Sequence, residues 1–242
     1  MMYTKLSVNI NKIALLRNSR GANIPDVVKF AQDCERYGAE GITIHPRPDQ
    51  RHIRFTDVYE LAAFYPNEKT EYNIEGYPTE HFIKMVKEVK PNQCTLVPDA
   101  PDQLTSDNGW DTVKNESLLK EVIQELHADK IRVSLFIDPI PKFLEGAKKV
   151  NAERIEFYTG PFAHEYYQNP EKAIQAIKAV LPLIEDLDLG INAGHDLNLD
   201  NLKFLKQSIP NLLEVSIGHA FVRDCLYYGL ENVVNMYKRL LN

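Results

Sequence analysis

Eight short runs of β-forming residues recur along the chain, each separated from the next by a stretch of helical character. That alternation limits the fold more than any other feature. The runs are KLSVNI (5–10), EGITIH (40–45), TEYNIE (70–75), QCTLVP (93–98), RVSLFI (132–137), RIEFY (154–158), DLGIN (188–192) and LEVSIG (213–218). Between them lie segments such as PDVVKFAQDCERYG, TEHFIKMVKEVK, ESLLKEVIQELHA and PEKAIQAIKAVLPLIEDL, whose apolar residues repeat every three or four positions, as on a helix packed along one face. Strands that alternate with helices pair in parallel through right-handed crossovers. Eight such units in 242 residues predict an α/β chain folded as a (β/α)₈ TIM barrel with extra helices, for which about 250 residues is typical. One TIM-barrel domain over residues 1–242 is therefore expected. A doubly wound open sheet is the alternative, but no GxGxxG turn follows the first run.

Two segments exceed the minimum connection. Residues 11–20, NKIALLRNSR, suit a short extra helix ahead of a main helix that starts after Pro25. Residues 99–112, DAPDQLTSDNGWDT, are too long and turn-rich for an ordinary connection and read as a mobile lid.

The charge balance narrows the partners. With 28 basic and 34 acidic residues the net charge is -6 and no long basic run occurs, which argues against a nucleic-acid surface. No apolar run approaches the roughly 20 residues needed to cross a bilayer, and the amino terminus lacks a signal-peptide core. Cys34, Cys94 and Cys225 are far apart, without metal or disulfide spacing, which suits a reducing cytoplasm.

Barrel active sites form at the carboxyl ends of the strands, so the last residue of each run and the loop after it carry the functional signal. Read this way, the candidates are Asn9 and Asn11; His45, Arg47 and His52; Glu75; Thr105; Asp138; Thr159; Asn192 and His195; and Gly218 with His219. Of seven histidines, His45, His195 and His219 follow strands directly and His52 lies in a strand's loop, while His81, His127 and His164 fall in helical or peripheral segments. Each could be an ordinary hydrogen-bonded structural histidine, but four at one end of a barrel suggest proton transfer near neutral pH.

Anion sites are indicated at both ends of this set. SIGHA leads from the eighth run into a helix whose free N–H groups favour a phosphate, although Gly194 and Gly218 could simply let the chain turn. Arg47 and His52 offer a second site, because guanidinium donors match phosphate oxygens; Arg51 and Arg54 nearby could be merely solvated. Glu75 is placed to act as a base if desolvated, or else to pair with an arginine such as Arg47. No lysine ends a run, which argues against a Schiff-base enzyme. A metal-dependent hydrolase or isomerase is the rival reading, but the first run ends N-I-N-K and lacks a His-x-His pair.

The ordered set VNI, LRNSRG, GAEGITIH, RPDQRHI, NIE, LVP, SLFID, NAGH and SIGHA resembles the pyridoxine 5'-phosphate synthase family of the deoxyxylulose-phosphate-dependent vitamin B6 pathway, over essentially the whole chain. The resemblance implies condensation of 1-deoxy-D-xylulose 5-phosphate with 3-amino-2-oxopropyl phosphate to close the pyridine ring, with no cofactor and no metal. It implies that His45 and Glu75 accept protons and that His195 donates one. Asn9, Arg20, Gly218 and His219 would contact the aminoketone phosphate, and Arg47, His52 and Thr105 the deoxyxylulose phosphate. It also implies a homo-oligomer, an octamer. The chain departs from the common pattern at Asn11 and Lys12, where many members have Asp-His and where the deoxyxylulose substrate is expected. It departs again at Asp196, a backbone contact that many members make with glycine.

Overall fold

The computed structural model describes residues 3–99 and 108–242. Eight parallel strands close a barrel in chain order: β1 (Lys5–Asn9), β2 (Gly41–Ile44), β3 (Glu71–Gly76), β4 (Gln93–Leu96), β5 (Arg132–Ile137), β6 (Arg154–Tyr158), β7 (Gly190–Gly194) and β8 (Leu212–Ile217). Each lies within two residues of the bounds expected from sequence. Around them run α1 (Asn11–Asn18), α2 (Val27–Arg36), α3 (Phe55–Ala62), α4 (Glu80–Val89), α5 (Glu116–Ala128), α6 (Pro141–Lys149), α7 (Gly160–Tyr166), α8 (Pro170–Asp186), α9 (Leu202–Ser208), α10 (His219–Tyr228) and α11 (Leu230–Leu241). The extra helix expected after β1 is α1, and the main helix after Pro25 is α2.

Helix starts follow from local chemistry. The Asp26 carboxylate accepts the Lys29 N–H at 2.8 Å and the Asn169 side chain accepts the Lys172 N–H at 3.0 Å, each satisfying a donor that the first helical turn leaves free. Pro170 then opens α8, where its missing N–H is no loss.

The strands sort their side chains by alternation. Leu6 and Val8, Ile42 and Ile44, Val133 and Leu135, and Ile155 and Phe157 are wholly buried in the apolar core beneath the helices. The residues between them face the barrel axis and are polar. Ser7 and Thr43 hydroxyls lie 2.7 Å apart, the Thr95 hydroxyl donates to Asn73 Oδ1 at 3.0 Å, and Asn192 Nδ2 of β7 reaches Gln93 Oε1 of β4 at 3.4 Å. Barrel interiors are usually layered with branched aliphatic side chains. Here hydrogen bonds fill much of that space.

The β2–α3 connection that holds ITIHPRPDQRHI is anchored from below by α1. Arg17 is buried, its guanidinium forked on the Asp57 carboxylate at 2.5 and 2.8 Å, and its Nη2 also donates to the His52 carbonyl at 3.1 Å. Asp57 in turn accepts the Arg54 N–H at 2.7 Å at the start of α3. Of the lid expected over 99–112, residues 100–107, Thr105 among them, lie outside the described residues. Its far end is fixed: Gly109 N–H donates to Asp138 Oδ2 at 3.0 Å, and buried Trp110 donates from Nε1 to the Leu96 carbonyl at 3.0 Å. Asp138, a strand-end candidate, therefore braces this loop.

Removing the Asp57 carboxylate would leave a buried guanidinium uncompensated, a change worth about 3–5 kcal/mol. Asp57→Ala is expected to lower the unfolding free energy by that order in urea titration; a loss below about 1 kcal/mol would show that the pair anchors nothing.

Candidate active site

At the carboxyl ends of the strands a cavity of about 580 Å³ opens, and most of the residues singled out from sequence line it. Asn9, Asn11 and Lys12 enter from β1 and α1, His45, Arg47 and His52 from the β2–α3 connection, and Glu75 from β3; His195 and Asp196 follow β7, and Gly218 and His219 follow β8. A larger groove of about 700 Å³ runs outside the barrel between α4 and α5. Its charges already neutralise one another, Lys87 with Glu125 at 2.7 Å and Lys90 with Asp129 at 2.9 Å, so it holds no convergent acid–base set.

His45 and Glu75 form the centre. The His45 N–H donates to Asn11 Oδ1 at 3.0 Å, and its Nδ1 stands 4.0 Å from Glu75 Oε2, to which Asn9 Nδ2 donates at 3.5 Å. Burial, then the charges of Arg47 and His52, drive the His45 proton affinity well below the ordinary histidine range, so the ring is neutral and able to accept a proton. Burial and the nearby Asp99 carboxylate push Glu75 the other way, to about 8, against the pull of Arg47. Arg47 is the arginine considered as a partner for Glu75; its guanidinium pairs with Asp99 at 2.5 Å, both side chains buried.

His52 is fixed as a donor. Its Nδ1 accepts the Ile53 N–H at 2.9 Å, which leaves the proton of the neutral ring on Nε2, and burial lowers its pKa to about 4. His195 packs its ring 4.7 Å from Phe136 and 5.6 Å, edge-on, from Tyr158. Burial lowers its proton affinity, while Asp196 and Asp99 pull it back up. His195 and Asp196 both have positive φ, 80° and 58°, a conformation that costs a non-glycine residue about 1–2 kcal/mol.

At β8 the chain passes directly from strand into helix, where an anion site is expected. Gly218 precedes the first turn of α10, and a Cβ there would lie 3.2 Å from Asn9 atoms, so glycine lets the two strand ends close up. Arg20 is different: it lies on the exposed turn after α1, outside the residues lining the cavity.

Glu156, Asp99 and His164 are the residues that reading the strand ends missed. Glu156 is buried two positions before the end of β6; its Oε2 has no hydrogen-bond partner, and burial, with Glu75 and Glu214 nearby, raises its proton affinity well above the ordinary carboxylate range. A Cβ on Gly194 would sit 2.2 Å from Glu156 Oε1, so that glycine makes room for the carboxyl. A charged residue between Ile155 and Phe157 was the available signal. His164 was read as peripheral, yet α7 carries it, with Tyr167, to the cavity rim. The remaining strand-end candidates, Thr159 and Asn192, are buried in the barrel wall, Asn192 accepting from Arg154 Nη1 at 3.3 Å.

The chain matches one known group of proteins over nearly its full length. The model of the pyridoxal phosphate biosynthesis protein PdxJ covers residues 6–242. This chain belongs to the PdxJ family. It is 57% identical over 238 residues to the pyridoxine 5'-phosphate synthase of Flavobacterium johnsoniae, covering 98% of this chain and 99% of that one. The enzyme of the same name from Cytophaga hutchinsonii is 54% identical over 238 residues, with the same coverage. Among solved structures, an Aquifex aeolicus protein superposes with a TM-score of 0.65 at 16% identity, covering 99% of this chain and 93% of that one, a likeness of fold alone. The PdxJ match brings with it vitamin B6 biosynthesis, and it agrees with the family read from the motifs.

Glu75 makes a test of this electrostatic arrangement. Its carboxyl binds a proton more tightly in the folded chain, at about 8 against an ordinary 4.5, so folding takes up a proton between those values and stability falls as pH climbs through them. Glu75→Gln removes that penalty. The variant should gain on the parent by a few kcal/mol as pH rises from about 5 to about 8, then hold its lead; parallel stability curves would contradict the raised proton affinity.

Proposed function

We propose that this chain is a pyridoxine 5'-phosphate synthase, joining 1-deoxy-D-xylulose 5-phosphate to 3-amino-2-oxopropyl phosphate with release of inorganic phosphate and water. The observation that carries the reading is the meeting of neutral His45, proton-holding Glu75 and His195 in one cavity between two phosphate-ready corners.

The residues divide the work by protonation state. The substrate amine condenses with the ketone, and the ring-closing sequence then needs protons removed beside carbonyl or imine carbons and given to departing oxygens. His45, buried and neutral, takes a proton. Glu75 titrates near the working pH and so can exchange one in either direction. His195 gives a proton to the leaving oxygen, its proton affinity supported by Asp196. Asn9, Gly218 and His219, with Arg20 carried over from the family motif, hold the aminoketone phosphate. Arg47, His52 and Thr105 hold the deoxyxylulose phosphate, with Asn11 and Lys12 beside its carbon chain. Asp196 lies beside the aminoketone phosphate, where its backbone can contact it. No cofactor enters the scheme.

Among the described residues no helix is long and apolar enough to cross a membrane. The family's biosynthetic role supports a cytoplasmic setting, and the family resemblance implies a homo-oligomer, which we take to be an octamer.

The purified protein should form pyridoxine 5'-phosphate from the two substrates in the presence of a chelator. His195→Ala and Glu75→Gln should each lower kcat by about 10²–10⁴-fold. Full activity in both variants would remove the assigned roles, and strict dependence on an added metal would favour the rival hydrolase or isomerase reading.

A further inference from the structure

A histidine that moves protons is usually aimed by a hydrogen bond on its second ring nitrogen. His195 lacks a well-formed one: its Nδ1 is buried without a partner of hydrogen-bond geometry, the Gly194 backbone adding only a minor upward pull on its proton affinity, and its ring packs against Phe136 and Tyr158. Aromatic walls limit the tilt of a ring but do not stop its backbone from moving. The aim of His195 therefore depends on the main chain of residues 194–196, and that chain is held in an unfavourable shape, with positive φ at two consecutive residues that are not glycine. Such a turn persists only where its surroundings hold it.

Two buried side chains grip this turn through its carbonyls. The Thr159 hydroxyl, just past β6, lies 2.6 Å from the Gly194 carbonyl and 2.5 Å from the His195 carbonyl, and donates between them. Its N–H also donates to the Gly194 carbonyl, at 3.0 Å. From the other side, Asn201 Nδ2 donates to the Asp196 carbonyl at 3.2 Å, and Asn201 is itself held because its Oδ1 accepts the Asn198 N–H at 2.9 Å. Thr159 and Asn201 are both fully buried, and neither is among the residues lining the cavity. Three successive carbonyls, those of Gly194, His195 and Asp196, are thus held by two side chains outside the cavity lining, with Asn198 Nδ2 adding a longer contact of 3.4 Å to the Asp196 carbonyl.

We propose that Thr159 and Asn201 are positioning residues that hold His195 and Asp196 in the left-handed turn and so aim the His195 ring at the reacting atoms. The inference rests on His195 being the proton donor of the proposed reaction. Thr159 and Asn201 act only through the main chain of that turn. Losing either lets the turn relax toward negative φ, which swings the imidazole away from its place between Phe136 and Tyr158.

Steady-state kinetics of single and double variants test this. Thr159→Val keeps the shape and removes the hydroxyl; kcat should fall about 100-fold, as misplacement by an ångström does, while KM for both substrates changes by less than about threefold. Thr159→Ser, which restores the donor, should recover most of kcat. Asn201→Ala should lower kcat about tenfold in the parent but by much less in the Asp196→Gly background, because glycine takes positive φ unaided. His195→Ala separates the inference from the reading beneath it. An inactive His195→Ala alongside Thr159→Val and Asn201→Ala variants of near-parental kcat would overturn the clamp alone. A fully active His195→Ala would overturn the donor role and the clamp with it. If Thr159→Val does not fold, the cycle between Asn201 and Asp196 decides, and equal losses of kcat from Asn201→Ala in both backgrounds would refute the proposal.

Discussion

Asn192 reaches from β7 across the barrel to Gln93 on β4, and that contact between strands that are not neighbours shows what fills the interior. Gln93 also accepts from Arg132 Nε at 3.0 Å, and Arg132 pairs in turn with Glu71, which holds Lys5 as well. The barrel thus closes around a connected polar lattice, while its apolar packing lies outside, between strands and helices. Such a lattice is stable only when its members are satisfied, because an unpaired polar group at low dielectric is costly. Its exceptions are informative. Glu156 Oε2 and His195 Nδ1 are buried without partners, and both belong to residues lining the cavity. Two of the groups left unsatisfied by the protein thus line the cavity, while Ser134 Oγ and Thr70 Oγ1 are unpartnered away from it.

The same lattice explains the protonation states. A carboxyl placed in an ordinary aliphatic interior would be expelled or permanently neutral. Here Glu75, Glu156 and Glu214 are buried near Arg47, Arg154 and one another, so desolvation and mutual repulsion favour the acid while the guanidiniums resist. Glu75 is left close to the working range. His45 shares the site but responds oppositely, since burial disfavours its cation. One environment therefore shifts the proton affinities of two groups 4.0 Å apart in opposite directions.

The fold was legible where strands alternate cleanly. Parallel strands covered on both faces usually read as continuous apolar runs, but KLSVN and RIEFY alternate because one face meets the polar interior, whereas RVSLFI ends in the apolar run Leu135-Phe136-Ile137. The helices were legible where they were long and amphipathic. α7 was not, since GPFAHEY is a short helix entered directly from a strand, and His164 was lost with it. In the site, reading strand ends found His45, Glu75, His195 and His219 but missed Glu156, which points inward two residues earlier. Asp99 was missed because nothing local marks an aspartate in a loop as the partner of Arg47, 52 residues away. Sequence carries the periodicity of an element, and a pairing across loops appears only when the barrel has closed.

The charges lining the cavity acquire a purpose when the two proposed substrates are considered together. Each brings a phosphate, and a site with Glu75 and Glu156 both ionised would repel both. Burial raises the proton affinity of both carboxyls, which lessens that repulsion before any substrate arrives. A bound phosphate then raises Glu75 further, since a nearby anion favours the neutral acid. On the proposed reaction one phosphate leaves as the ring forms. Its departure lowers the proton affinity of Glu75 again, so the carboxyl is readier to give up its proton once the leaving group has gone. On that reaction, the burial that makes Glu75 a liability to the fold would couple its protonation to the phosphate occupancy of the site.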